Sequence, residues 1–249
     1  MSALVLALIA GAVVGLALGA LGGGGSILAV PALIYLLGFS PAAATTASLM
    51  IVTATAATAL YAHGRAGNVR WKAGALFAAA GILPAATAGA AVSRLPQQAL
   101  TAAFAAVAAL AALRMLRPGG AGDPAEHVKR PARAAGAGAG LGALTGLLGV
   151  GGGFLAVPAL VTVLGFEMQA AVGTSLLVIS ANSLASLVTR GSTTAGLDWA
   201  VIAPFVATAM LGAWDGKRLA AKVPGTVLQR VFGVVLLAVA ALMLLDVLT

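Results

Sequence analysis

Two glycine runs hold the chemistry that this sequence can offer. Gly22-Gly23-Gly24-Gly25-Ser26 leads into Ile27-Leu28-Ala29-Val30-Pro31-Ala32-Leu33, and 127 positions later Gly149-Val150-Gly151-Gly152-Gly153 leads into Phe154-Leu155-Ala156-Val157-Pro158-Ala159-Leu160. A glycine break followed by a short apolar helix exposes backbone N–H groups that have no intrahelical acceptor. Such a terminus also carries roughly half an elementary positive charge from the helix dipole, so it suits an anion. Two of them meeting near the middle of a membrane would cradle one oxyanion. The bland alternative is a tight turn or close helix packing, and packing is the better reading for Gly11, Gly15, Gly19, Gly138, Gly142 and Gly146 at four-residue spacing. For Gly22 to Gly25 and Gly149 to Gly153 a break lining a substrate path is the stronger reading, since consecutive glycines would cost a continuous helix about 1 kcal/mol each.

The segments after each run bring hydroxyl and amide groups. Ser48 and Ser175 occupy matching places in the two copies, Thr45, Thr46 and Thr174 lie beside them, and Thr53, Thr55, Ser180, Asn182 and Ser183 follow. Such groups can bind the oxygens of an oxyanion without placing a charge in the membrane. A Ser or Thr hydroxyl can equally bond the carbonyl four residues back in its own helix. Asn182 is harder to dismiss, because an amide facing lipid would be costly. The expected substrate-binding set is therefore both glycine runs (Gly22, Gly23, Gly24, Gly25 and Ser26; Gly149, Gly151, Gly152 and Gly153) with Ser48, Ser175 and Asn182. Thr45, Thr46, Thr174, Pro31 and Pro158 are secondary candidates, the prolines as kinks in the short helices.

Other chemistries lack residues. The chain has no Cys, two His and six acidic side chains, which excludes thiolate sites and leaves few ligands for a metal or redox centre. No catalytic residue, metal or cofactor is assigned, and an enzyme is not expected. His63 begins a basic loop with no carboxylate near it in sequence, and Asp215, beside Lys217 and Arg218, reads as interfacial.

The elements that must position these groups follow from composition. With 61% hydrophobic and 8% charged residues, 249 residues cannot clothe a soluble fold. Uniformly apolar stretches of about 20 residues, rich in Ala and Leu, exclude a transmembrane barrel and specify an all-α polytopic membrane protein. The net charge of +8 lies in short loops without interleaved aromatics, which argues topology rather than nucleic acid. The first segment, 3–21, has no basic residue before it and no cleavage pattern, so it reads as a retained helix.

The chain is two homologous halves. From Gly22 to Phe39, 12 of 18 positions match their partners at the 127-residue offset, and Trp71, Pro96 and Phe104 meet Trp199, Pro224 and Phe232 after a one-residue shift. The expected division is a first transmembrane repeat over 1–113, a cytoplasmic linker over 114–133 containing Pro118-Gly119-Gly120, and a second repeat over 134–249. Each repeat reads as four long helices and one short glycine-broken segment: 3–21, 26–38, 41–62, 73–93 and 97–116, then 134–148, 153–165, 168–189, 199–215 and 226–247. The short segments have 13 residues, about 20 Å against a hydrocarbon core of about 30 Å. They either dip in and return, giving four spans per half, or complete a fifth crossing and so invert the second half. Five crossings put 12 of 14 basic residues on the cytoplasmic side and four crossings put 9 there. The positive-inside rule therefore favours inverted repeats.

The duplicated glycine run entering Ala-Val-Pro-Ala-Leu, the following Gly-Phe, and the helices beginning Ala44-Thr45-Thr46-Ala47-Ser48-Leu49 and Ala171-Val172-Gly173-Thr174-Ser175-Leu176 resemble the sulfite exporter TauE/SafE family of membrane permeases. The resemblance covers both halves, apart from the linker. It implies a multi-pass transporter of the bacterial or archaeal inner membrane, with sulfite and organosulfonates as the family's associated substrates. The runs differ from each other at Gly23 against Val150 and Ser26 against Gly153. The expectation is a secondary transporter of a small anion by alternating access around two glycine-broken half-helices, its partners being that anion and the lipid bilayer. The alternative is a passive anion channel. No Walker-type phosphate loop is present, so this chain does not itself use ATP.

Overall fold

The run Ala3–Leu21 contains neither proline nor a charged residue and folds as one helix, α1. The structure, a computed structural model, describes residues 3–91, 97–116, 136, 138–140, 153–189 and 198–248. Among the described residues all the regular structure is helical: α1 is followed by α2 (Gly24–Pro31), a π-helical turn (Ala32–Leu36), α3 (Pro41–Arg65), α4 (Trp71–Ala91) and α5 (Gln97–Leu116). The second half supplies α6 (Gly153–Thr162), α7 (Met168–Thr189), α8 (Trp199–Ala220) and α9 (Gly225–Leu248). Four of these, α1, α7, α8 and α9, contain windows long and apolar enough to cross a membrane.

Local sequence explains the ends. Pro41 starts α3 at a position where its missing N–H costs nothing, and the Ser40 hydroxyl accepts from the Ala43 amide at 3.4 Å. Asp198 caps α8 by accepting from the Ala200 amide at 3.0 Å. Both short segments stop alike: Gly38 and Gly165 turn left-handed at φ +70° and +65°, and the Phe39 and Phe166 amides each donate to a leucine carbonyl, Leu33 and Leu160, at 3.0 Å. The repeat read in the sequence is thus a repeat of hydrogen bonding. The copies differ at proline. Pro31 hands α2 over to the π turn, whereas Pro158 lies within α6.

Several boundaries move, among them the end of α3, at Arg65 rather than 62, and of α6, at Thr162 rather than 165. The first short helix opens at Gly24 rather than at 26, because Gly24 and Gly25 are helical. Helix α8 continues past 215 to Ala220, which places Lys217 and Arg218 within it.

Glycine lets the halves approach. A Cβ at Gly11 would strike the Phe205 carbonyl, and one at Gly15 or Gly19 would lie 2.7 Å from the Cα of Ala209 or Ala213. Gly212 and Gly216 answer from α8 against Ala12 and Leu16 of α1. The partners rise together, so α1 and α8 run in the same direction with their backbones in contact. Gly138, the counterpart of Gly11, meets Phe77 of α4, the counterpart of Phe205.

Packing therefore ignores the division of the chain. One buried cluster joins Leu18, Leu33 and Ile51 to Leu176, Ile179, Phe205 and Ala209, while the other joins Leu160, Val172 and Phe232 to Phe77, Ala108 and Met115. Each core takes two helices from the opposite half, α7 and α8 in the first and α4 and α5 in the second.

One end of the bundle collects the charge. The His63 ring of α3 bonds the Gly19 carbonyl of α1 at 3.0 Å, and Tyr61 stacks on Trp214 of α8 with ring centroids 6.4 Å apart. The Arg70 amide donates to the Thr174 hydroxyl of α7, Met168 faces Gly225, and the Gln229 side chain donates to the Met115 carbonyl at 2.7 Å. These contacts link the ends of α1, α3, α5 and α8 to the starts of α4, α7 and α9. Arg65, Arg70, Lys72, Arg114, Lys217, Arg218, Lys222 and Arg230, all the Lys and Arg among the described residues, lie near these helix ends or in the turns that join them.

Candidate functional site

Gly22 is where the first glycine run touches the second half. It adopts φ +66°, in the left-handed region, and turns the chain from α1 into α2. A Cβ built on it would sit 2.5 Å from the Ser175 Oγ, 3.2 Å from the Val172 carbonyl oxygen and 3.3 Å from a Val157 methyl. Both the conformation and the space therefore require glycine, and the turn rests on α7 and α6.

The break itself is Gly22 and Gly23. The Ser26 amide and hydroxyl both donate to the Gly23 carbonyl, at 3.2 and 2.7 Å, which closes the first turn of α2. Gly24 and Gly25 belong to that turn, and Gly25 packs against Leu18 of α1, so its lack of a side chain serves helix packing. In the second run Gly153 opens α6, and Gly149, Gly151 and Gly152 lie outside the described residues.

The hydroxyls divide by role. Ser175 is fully buried beside Gly22 and donates to the Val172 carbonyl at 2.8 Å. Thr174, also fully buried, accepts from the Arg70 amide at 3.1 Å, so it fastens the turn between α3 and α4 to α7. In α3, Thr46 and Ser48 are buried and bonded, and Thr45 lies in the second turn. Pro31 is exposed and Pro158 is buried.

Asn182 stands seven residues after Ser175, hence on the same face of α7. Its Oδ1 is buried and has no hydrogen-bond partner among the described residues, and the same holds for the hydroxyls of Ser180 and Ser183. Each such atom costs about 1–3 kcal/mol unless something bonds it. The first half differs at the equivalent places. Thr53 and Thr55 donate within α3, to the Leu49 and Ile51 carbonyls at 2.6 and 2.5 Å, and Ala56 stands where α7 has Ser183. Among the described residues the other buried atom without a partner is His63 Nδ1 at the charged end, so the unbonded hydroxyls and amide oxygen lie in the second half. Ser180 and Ser183 were legible only as hydroxyls, since a hydroxyl's partner is not written in its sequence.

His63 differs from its expectation as a loop residue. It is 2% exposed in the last turn of α3, and Nε2 must be the protonated nitrogen because a carbonyl only accepts. It ties α3 to α1 at the charged end. Asp215 is exposed and paired with Arg218 at 3.3 Å, consistent with an interfacial position.

No Lys, Arg or His lies in the central turns of the described helices. An anion inside the bundle would meet backbone dipoles, hydroxyls and one amide.

Known proteins share much of this sequence. The model of the family described as Sulfite exporter TauE/SafE matches residues 7–243. Two proteins of Xylella fastidiosa, each named "Probable membrane transporter protein", are similar over 237 residues: 32% identical in strain Temecula1 and 34% in strain 9a5c. In both cases the match covers 92% of this chain and 90% of the relative. No solved structure matches. With all-helical packing, apolar spans and a family match over nearly its whole length, this chain belongs to the sulfite exporter TauE/SafE family and is a multi-pass membrane protein of a transporter family.

Proposed function

We propose that the protein is a secondary transporter of a small anion, a sulfur oxyanion or organosulfonate such as sulfite, working by alternating access between its two halves in a bacterial or archaeal inner membrane. The observation that carries this reading is the seat of the left-handed Gly22 turn on Ser175, with Asn182, whose Oδ1 has no partner among the described residues, on the same face of α7. One half's glycine break there meets the other half's polar helix in a buried seam. Substrate contacts are assigned to Gly22 and Gly23, to the first turn Gly24, Gly25 and Ser26, to Ser48, Ser175 and Asn182, and to the second run at Gly149, Gly151, Gly152 and Gly153.

The halves are taken as inverted repeats flanking a cytoplasmic linker, 114–133. Support comes from the end of α5 meeting the start of α9, through Gln229 to Met115, and from the gathering of basic residues at one end. An outward-moving charge of −1 gains about 2.3 kcal/mol per 100 mV from a negative interior, which favours export. The test is counterflow in proteoliposomes. Unlabelled sulfite on the far side should accelerate entry of labelled sulfite. Unitary conductance in a planar bilayer, without such acceleration, would replace the carrier by a channel.

A further inference from the structure

We infer that His63 is a proton-sensitive latch at the charged end of the bundle: as the neutral ring it holds the turn between α3 and α4 down beside the Gly22–Ser175 seam, and as the cation it lets that turn go. The inference stands on packing and goes beyond the transport reading, to which it adds a control over access to the seam.

One residue joins four elements there. The ring donates from Nε2 to the Gly19 carbonyl at 3.0 Å, in the last turn of α1, where carbonyls lack an intrahelical donor. The His63 carbonyl accepts from the amides of Ala66 and Asn68, at 3.2 and 3.1 Å, and so shapes the turn that follows. That turn lies on α7: the Arg70 amide donates to the Thr174 hydroxyl, Val69 is buried, and a Cβ on Gly173 would sit 2.5 Å from the Asn68 carbonyl oxygen. Thr174 is next to Ser175, against which Gly22 is seated. Ring, turn and seam are therefore contiguous.

The site is built for the neutral ring. Nδ1 is buried and has no partner among the described residues. In the cation it becomes a second N–H, which needs an acceptor that those residues do not supply. Protonation would also bury a net charge with one carbonyl to offset it, and set that charge against Lys217 of α8. A ring turned out to water escapes these costs, and turning out gives up the bond to Gly19. The titratable and charged groups on the elements packed round α3 are Tyr35 of the π turn, Lys72 of α4, and Asp215, Lys217 and Arg218 of α8. Tyr61, Arg65 and Arg70 belong to α3 and its turn, while α1, α2 and α7 have none. The one acid among them, Asp215, is exposed and paired with Arg218, so no carboxylate there steadies an imidazolium. At the 127-residue offset Gly19, His63 and Gly64 correspond to Gly146, Arg190 and Gly191, which lie outside the described residues. The sequence thus sets a titratable ring in one half against a permanent cation in the other.

The experiment reads the turn directly. Val69→Cys, a buried reporter, and Ala66→Cys, an exposed reference in the same turn, are made separately in the full chain, which has no native Cys. Purified protein in detergent is reacted with N-ethylmaleimide at roughly pH 8 and pH 5.5, which bracket the ordinary imidazole value of about 6.5. Dividing the rate at 69 by the rate at 66 cancels the titration of the thiol itself. The ratio should rise about tenfold on acidification. With His63→Gln, whose amide can still donate to Gly19 but does not titrate, it should stay low at both pH values; with His63→Arg it should be high at both. A ratio that does not change with pH while His63 is in place overturns the latch without recourse to any variant. A pH response that survives His63→Gln overturns it too, because another group would then be titrating. Labelling does not depend on flux, so either failure leaves the transport reading standing, and absence of counterflow with the pH response intact would remove that reading and leave the latch.

Discussion

Gly22→Ala, combined with Ser175→Ala, tests whether the two halves meet at the glycine break. At φ +66° an alanine costs about 1–2 kcal/mol in backbone strain. Its Cβ would also lie 2.5 Å from the Ser175 Oγ, about 1 Å inside ordinary contact. Overpacking of that kind costs about 1–3 kcal/mol, so the single variant should lose about 2–5 kcal/mol. Ser175→Ala alone gives up a hydroxyl bond to Val172 in its own helix, a loss of about 0.5–1.5 kcal/mol. In the double variant the colliding oxygen is gone. The overlap is relieved, the backbone strain remains, and about 1–3 kcal/mol should return as coupling between the sites. Thermal unfolding of the purified protein in detergent reads the coupling, and counterflow in proteoliposomes reads its consequence for transport. The double variant should be more stable than Gly22→Ala and should recover part of its flux. Strictly additive losses would refute the packing of Gly22 on Ser175 and, with it, the seam on which the transport reading rests.

Gly15→Val should separate α1 from α8, since even a Cβ at Gly15 lies 2.7 Å from the Ala209 Cα. The loss should exceed about 3 kcal/mol, seen as a collapse of monodisperse protein in gel filtration; a stable variant would contradict the close approach. The chain's lack of native Cys permits single-cysteine mapping of sidedness. Cysteines placed at Ala66 and Ala221, both exposed, should react with an impermeant reagent only from the cytoplasmic side, and one at Ser40 only from outside. Reaction of Ala66→Cys and Ala221→Cys from opposite sides would refute the inverted halves.

Much of the fold was legible because membrane helices obey a simple rule: each polar backbone group must be satisfied within its own segment. The apolar run of α1 and the limits of α5 and α7 coincide with their sequence readings for this reason. The stops at Gly38 and Gly165 were visible as a repeat, since both turns need a left-handed residue. Local hydrogen bonding was less legible. Gly24 and Gly25 looked like part of the break, yet Ser26 reaches back to Gly23 and draws them into α2. Thr174 looked like a neighbour of the path, yet its hydroxyl receives the Arg70 amide from far along the chain. His63 looked like a loop residue, because nothing in the sequence places the Gly19 carbonyl beside it.

By itself the sequence determined an all-helical membrane protein with two related halves, because composition, span length and a repeated glycine pattern are properties of the chain alone. Only the tertiary structure decided how the halves share their interior. The four-residue glycine spacing marked α1 as a packing helix without naming its partner, and the fold set α8 of the opposite half against it. Likewise, Thr55 and Asn182 occupy equivalent places in the sequence. In the fold the hydroxyl is consumed within its own helix, and the amide oxygen is buried with no partner among the described residues. A repeat fixes which residues correspond, whereas the partner of a polar atom depends on which helix arrives beside it.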